Sequence, residues 1–153
     1  MLYINVNKTH YIKFKTKNNP TLDINIVCND NLITIIPTIK FLGLYIYDSI
    51  TWSCHIEYSI IPKLSSACYI MSIKPFMSFS TLKTIYYSNF NTIIIYGLTF
   101  WGNSPHSIKI FRMQKRIIWI MISCKSRVSC RNLFRRLEIL PFYLNISFHL
   151  CFL

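Results

Sequence analysis

Acid–base and metal chemistry call for carboxylates in pairs, and this sequence keeps its five acidic residues apart. Asp23, Asp30, Asp48, Glu57 and Glu138 form no Asp-Asp or Asp-x-Asp pattern of the kind that holds two magnesium ions across a phosphoryl transfer. The serines fall in no GxSxG elbow, and neither a glycine-rich phosphate loop nor an HExxH segment is present. His10, His55, His106 and His149 are dispersed and read as surface or structural histidines. Cys28, Cys54, Cys68, Cys124, Cys130 and Cys151 include no CxxC pair. Cys124, Cys130, His149 and Cys151 come nearest to a ligand set but match no common zinc spacing. The expectation is free thiols in a reducing compartment, no metal site, no cofactor in this chain, and no catalysis by the chain alone.

What is patterned is positive charge. Lysine and arginine total 17, giving a net charge of +12, which makes a polyanion the first partner to consider. An anionic membrane surface is the competing partner, because 52% of the residues are apolar. The longest uncharged run, residues 84–107, includes Asn89, Asn91 and Asn103, which are costly in hydrocarbon, so a buried helix is favoured over a membrane span. On a helix, Lys109, Arg112 and Arg116 share one face, while Arg127, Arg131 and Arg135 stack at i, i+4 and i+8. Like charges so spaced cost a helix about 0.2–0.5 kcal/mol per pair, a cost that bound phosphates would offset. A solvated helix face is the plainer alternative.

These residues must be positioned by two kinds of element. Tyr11 to Lys15 alternates apolar and polar residues, and "LDINIVC" and "LITIIP" flank the turn-prone Asn29-Asp30-Asn31, predicting a strand and a hairpin. "IKFLGLYIYD" reads as a further strand with a bulge at Gly43. After Trp52 the period changes. Ile56, Ile60, Leu64, Cys68 and Met71 mark one helix, kinked or restarted at Pro62. Leu82, Ile85, Tyr86, Phe90, Ile93 and Gly97 mark a second, capped by Ser78 or Ser80 and ending near Gly102. Ile110, Phe111, Ile117, Ile118, Met121 and Ile122 stripe a third; Leu133, Phe134 and Leu137 a fourth, with Ser129 as cap. The predicted class is α+β, a small antiparallel sheet over residues 1–52 followed by a helical bundle over 53–153. The apolar stretch "ILPFYLNISFHLCFL" reads as an interrupted element.

Four segments in this order, "LYINVNKTHYIKF", "TIKFLGLYIYDSITWSCHI", "PKLSSACYIMSIKPF" and "IIIYGLTFWGNSPHSIKIFRMQKRIIWIM", resemble the region downstream of the catalytic motif in reverse transcriptases of non-LTR, jockey-like retrotransposons of the LINE type. Nearly the whole chain is covered. The resemblance implies that Lys8 matches a motif lysine near the incoming triphosphate, where a mobile cation can meet phosphate. It implies that Lys40, Phe41, Leu42 and Gly43 correspond to the primer-grip hairpin at the palm edge. It also makes the helices from Ile56 onward thumb-like, with Lys63, Lys74, Lys83, Lys109, Arg112, Lys115 and Arg116 as backbone contacts. Tyr96, Gly97, Trp101 and Gly102 are weighted toward packing.

The family's Ala-Asp-Asp motif and its magnesium ligands have no counterpart in this sequence. The expectation is therefore a truncated or degenerate polymerase portion, inactive by itself, with sequence-independent affinity for RNA or RNA/DNA hybrid. It would complement the missing palm and fingers, and by resemblance be intracellular, in nucleus or cytoplasm. A small basic membrane-associated protein and a product without function are the alternatives.

Overall fold

The computed structural model describes residues 4–15, 24–28, 30–72, 74–125 and 128–151, without the side chains of Asn7, Ile70 and residues 148–150. The chain divides into two compact units, Met1–Trp52 and Ser53–Leu153. Strands occupy the first and helices the second, so the α+β class expected from the sequence is the class of the fold.

In the first unit, a short 3-10 turn, Val6–Lys8, leads into β1 (His10–Tyr11). β2 (Val27–Cys28) and β3 (Asn31–Leu32) pair antiparallel as the predicted hairpin, with Asp30 turning at φ 60°. The expected small antiparallel sheet is corrected in two respects: the described strands form three separate pairs, and β4 (Thr34–Ile35) pairs parallel with β1. The expected strand over Tyr11–Lys15 stops at Tyr11; beyond it, the Lys15 amide donates to the Asp48 carbonyl at 2.8 Å and the Lys15 ammonium meets the Asp48 carboxylate at 3.1 Å.

"IKFLGLYIYD" is a hairpin and not one bulged strand. β5 (Thr38–Phe41) pairs antiparallel with β6 (Leu44–Tyr47), and Leu42-Gly43 is the two-residue turn. Both turn residues have positive φ, 47° and 79°, as a type I′ connection demands. Gly43 adopts this freely. Leu42 does so against its Cβ, at about 1 kcal/mol, while 72% exposed. Leu42→Asn is therefore expected to raise the hairpin's stability by about 0.5–1 kcal/mol, read as slower amide exchange along β5 and β6.

Two-stranded sheets are marginal by themselves. Here Ile24, Ile26, Val27, Leu32 and Ile35 are exposed, and Leu44 is the buried apolar residue among those described in this unit.

The second unit is built on two helical runs with wide turns inside them. The first comprises α1 (Ser53–His55), a π-helical stretch Ile56–Ile60, and α2 (Ile61–Ser72). Ile56, Ile60, Leu64, Cys68 and Met71 are buried, as their spacing predicts. Residues spaced strictly by four drift about 40° per step around an ideal helix of 3.6 residues per turn. The π stretch, closed by the Ile61 amide on the Ile56 carbonyl, absorbs that drift at the start of the stripe. It also lies immediately before Pro62, where an ordinary turn would leave a carbonyl without its donor. Backbone angles stay helical at His55 and Ile61, so Pro62 neither restarts nor breaks the run.

The second run is α3 (Phe79–Ile85), a π stretch Tyr86–Asn91, and α4 (Thr92–Ile95). Ser78 caps it, its hydroxyl accepting from the Thr81 amide at 3.2 Å. The run ends earlier than the sequence suggests: Tyr96 turns extended, Gly97 takes φ 67°, and a separate short α5 (Leu98–Trp101) follows. Gly97 is thus a breaker and not a packing position. Of the predicted stripe Leu82, Tyr86 and Phe90 are buried, and the wide turn brings Ile94 and Leu98 inward after them in place of Ile85, Ile93 and Gly97.

Gly102 marks a close approach. A Cβ there would lie 2.5 Å from the Leu98 carbonyl oxygen and 3.1 Å from the Ile146 side chain. Gly102→Ala is expected to cost about 1–3 kcal/mol in urea denaturation.

α6 (Ile108–Ile122), α7 (Cys130–Leu137) and α8 (Phe142–Cys151) complete the unit. Ser123 and Glu138 end α6 and α7 in left-handed conformation, each followed by an amide that reaches back five residues. Ser129 stands at the α7 N-cap position, but its side chain makes no capping bond. Trp101 stacks on Phe142 at 5.9 Å and donates its indole N–H to the Tyr96 carbonyl at 3.0 Å, which gives it the packing role expected. No described helix is long and apolar enough to cross a membrane.

Candidate nucleic-acid interface

The first unit holds Lys8 and the hairpin tip. Lys8 is exposed at the end of the 3-10 turn, where Thr9 closes the turn through its hydroxyl to the Asn5 carbonyl at 2.8 Å. Lys40 lies across from Tyr45, its ammonium 5.5 Å from the ring centroid. Phe41, Leu42 and Gly43 are all exposed, so the tip presents two apolar side chains and bare backbone to its surroundings.

The second unit holds the remaining candidates, and their surroundings differ. Lys109 is engaged by Glu57 at 2.5 Å, and its hydrogen bond holds the Glu57 carboxyl below its ordinary range. Lys83 meets Glu138 at 3.0 Å. Both carboxylates are exposed and screened by solvent, so the pairs are weak and a phosphate could displace either carboxylate. Lys74 donates to the Ser123 hydroxyl at the end of α6. Lys115 lies over the Phe111 ring at 4.7 Å, its stem against apolar surface.

Arg112, Arg116, Arg131, Arg135 and Arg136 are exposed, as is Lys63, and none has a carboxylate partner among the described residues. Arg127, the third member of the expected α7 stack, lies outside the described residues. Arg112 and Arg116 share the exposed face of α6 as predicted. Arg116 also borders a cleft with Ser65, Tyr69 and Ser72 of α2. Arg131 and Arg135 instead line a groove on the α7–α8 side. Arg116 and the pair Arg131–Arg135 therefore border different recesses, the first against α2 and the second against α8.

Titratable groups add little chemistry. Burial, with Lys63 adding to it, holds the His55 imidazole below its usual pKa, so it stays neutral near neutral pH. Burial pushes the Cys68 and Cys130 thiols up, against the pull of Arg116 and Lys115, which makes them weak nucleophiles. Among the described residues no group of three or more metal-ligating side chains converges.

Two features escaped the sequence reading. Arg136 borders a recess with Phe79, Met121 and Leu137, although only Arg131 and Arg135 follow the i, i+4 rule. Gln114 is fully buried; its amide nitrogen donates to the Tyr86 hydroxyl at 2.8 Å and the Leu140 carbonyl at 2.9 Å, and its oxygen accepts from the Phe142 amide at 2.8 Å. The signal was a glutamine inside the apolar stripe of α6. Its role fixes α8 against α6 and touches no exposed surface.

No family model matches the chain, and no curated protein or solved structure matches it either.

Proposed function

We propose that this chain is a palm-edge, primer-grip and thumb portion of a non-LTR retrotransposon reverse transcriptase, which by itself grips RNA or RNA/DNA hybrid without sequence preference and does not polymerise. The observation that carries the binding claim is the charge balance of the helical unit. Its two described carboxylates, Glu57 and Glu138, each hold one lysine, and the exposed Arg112 and Arg116 of α6 are left for the phosphates of a duplex. No described group reads base edges in a defined array, so affinity would follow the phosphate backbone and the shape of the duplex.

Two further features support the polymerase reading. The segment resembling a primer grip is a tight hairpin whose tip exposes Phe41, Leu42 and the Gly43 backbone. The strands before it expose Ile24, Val27, Leu32 and Ile35, apolar surface that the rest of a palm would cover.

The test is filter binding to unrelated RNAs and to RNA/DNA hybrids, beside primer extension with magnesium and deoxynucleotides. Binding of unrelated sequences within about threefold of one another is expected, with no extension. Extension by the pure chain would overturn the inactivity, and a lack of salt-sensitive binding would remove the function.

A further inference from the structure

The groove between α7 and α8 has a different chemistry from the α6 face. Its volume is about 470 Å³. Arg131 and Arg135 stand on α7, one helical turn or about 6 Å apart along the axis, with Leu140, Pro141 and Leu144 facing them. Phe134 and Ile139 form the buried floor, while Leu140 and Leu144 are 49% and 54% exposed.

The polar groups along this wall are already engaged. The Leu140 carbonyl accepts from Gln114 at 2.9 Å and from Asn145 at 3.4 Å. The Glu138 carbonyl accepts from the Tyr87 hydroxyl at 3.1 Å, and the Glu138 carboxylate is held by Lys83 at 3.0 Å. The Glu138 and Ile139 amides bond back to Arg135 and Phe134. What the groove still offers a ligand is apolar surface, two guanidinium groups and the exposed Glu138 carboxylate, whose charge Lys83 offsets, so the balance of the wall stays positive.

We infer that this groove docks a short amphipathic peptide that brings apolar side chains to the floor and carboxylates to Arg131 and Arg135. A helix with leucines at i and i+4 and acidic residues beside them satisfies both demands at once. A nucleic-acid backbone would meet the arginines but would set riboses and base edges against a wall with no polar group to receive them. A planar bilayer would meet them too, but it does not fill a recess. A second copy of this chain is disfavoured by a net charge of +12 on each. The inference does not depend on the polymerase reading, since it concerns a groove that nucleic acid fits poorly.

The test is fluorescence polarisation of the full chain with a labelled helical peptide carrying leucines at i and i+4 flanked by glutamates. A scrambled peptide of the same composition, a single-stranded RNA and anionic phosphatidylserine vesicles serve as the other arms. Saturable binding of the patterned peptide is expected, at least tenfold tighter than the scrambled one. Arg131→Gln with Arg135→Gln should weaken it tenfold or more, and Leu144→Gln should do the same; all three positions are exposed, so an unchanged circular dichroism spectrum is expected for each variant. No binding, equal binding of the scrambled peptide, full displacement by RNA, or capture by vesicles in place of peptide would each overturn the inference.

Discussion

Replacing Gln114 by leucine is expected to lower the stability of the helical unit by about 3–5 kcal/mol, although leucine is the more apolar residue and nearly the same size. The glutamine satisfies three groups at the centre of the unit: the Tyr86 hydroxyl, the Leu140 carbonyl and the Phe142 amide. Each group left buried without a partner costs about 1–3 kcal/mol. The Leu140 carbonyl keeps a weaker bond from Asn145 at 3.4 Å, so its loss is the smallest of the three. The Phe142 amide opens α8, and its orphaning should loosen that helix before the others. Tyr86 is the second casualty. Burial already pushes its phenol far above the ordinary range, so it cannot escape the loss by ionising. Urea denaturation of Gln114→Leu against wild type checks the magnitude, and Tyr86→Phe in the same background separates the tyrosine's share. If Gln114→Leu were as stable as the parent, the three bonds would not be cooperating as drawn.

The contrast between Gln114 and its neighbours shows where sequence reasoning succeeds and where it stops. Ile110, Ile117, Ile118 and Met121 were legible as core because apolar residues at helical spacing have one energetic explanation. Gln114 lies on the same stripe, but a polar residue there is explained only by partners from Tyr86, Leu140 and Phe142, which a single helix pattern cannot contain. The hidden wide turns had a trace that ordinary helix periodicity passes over: Leu82, Tyr86, Phe90 and Ile94 recur every four residues, and that strict spacing stays in line only if the helix widens. The β5–β6 turn was concealed for a simpler reason. A type I′ turn is announced by Asn-Gly or Asp-Gly, whereas here Leu42 occupies the strained position, so Gly43 reads as a bulge inside a strand. Among the site residues, the exposed faces of α6 and α7 followed from spacing. The engagement of Lys83 and Lys109 did not, because their carboxylates stand 55 and 52 residues away in sequence.

That engagement sets the second large expected effect, the response of nucleic-acid binding to salt. Each phosphate contact to a duplex releases counterions and steepens the fall of log K against log salt by about 0.9, so six to ten contacts weaken binding by about 10³ to 10⁵ between 50 and 200 mM salt. The cations are not equivalent, however. Arg112 and Arg116 are exposed on one face of α6 with no carboxylate partner among the described residues, so converting both to glutamine should flatten the slope by close to two contacts. Lys109 and Lys83 begin in ion pairs, and a phosphate must first release Glu57 or Glu138. Lys109→Gln and Lys83→Gln should therefore cost less affinity than either arginine, and the freed carboxylate should repel the same phosphates weakly. Arg131→Gln with Arg135→Gln locates the ligand: these residues belong to the α7–α8 groove, so a duplex held on the α6 face loses little when they are removed. Equilibrium binding of each variant at several salt concentrations gives the slopes. A slope insensitive to Arg112 and Arg116 but strongly reduced by Arg131 and Arg135 would move the duplex off α6, and one insensitive to all four would mean that the helical unit is not what grips nucleic acid.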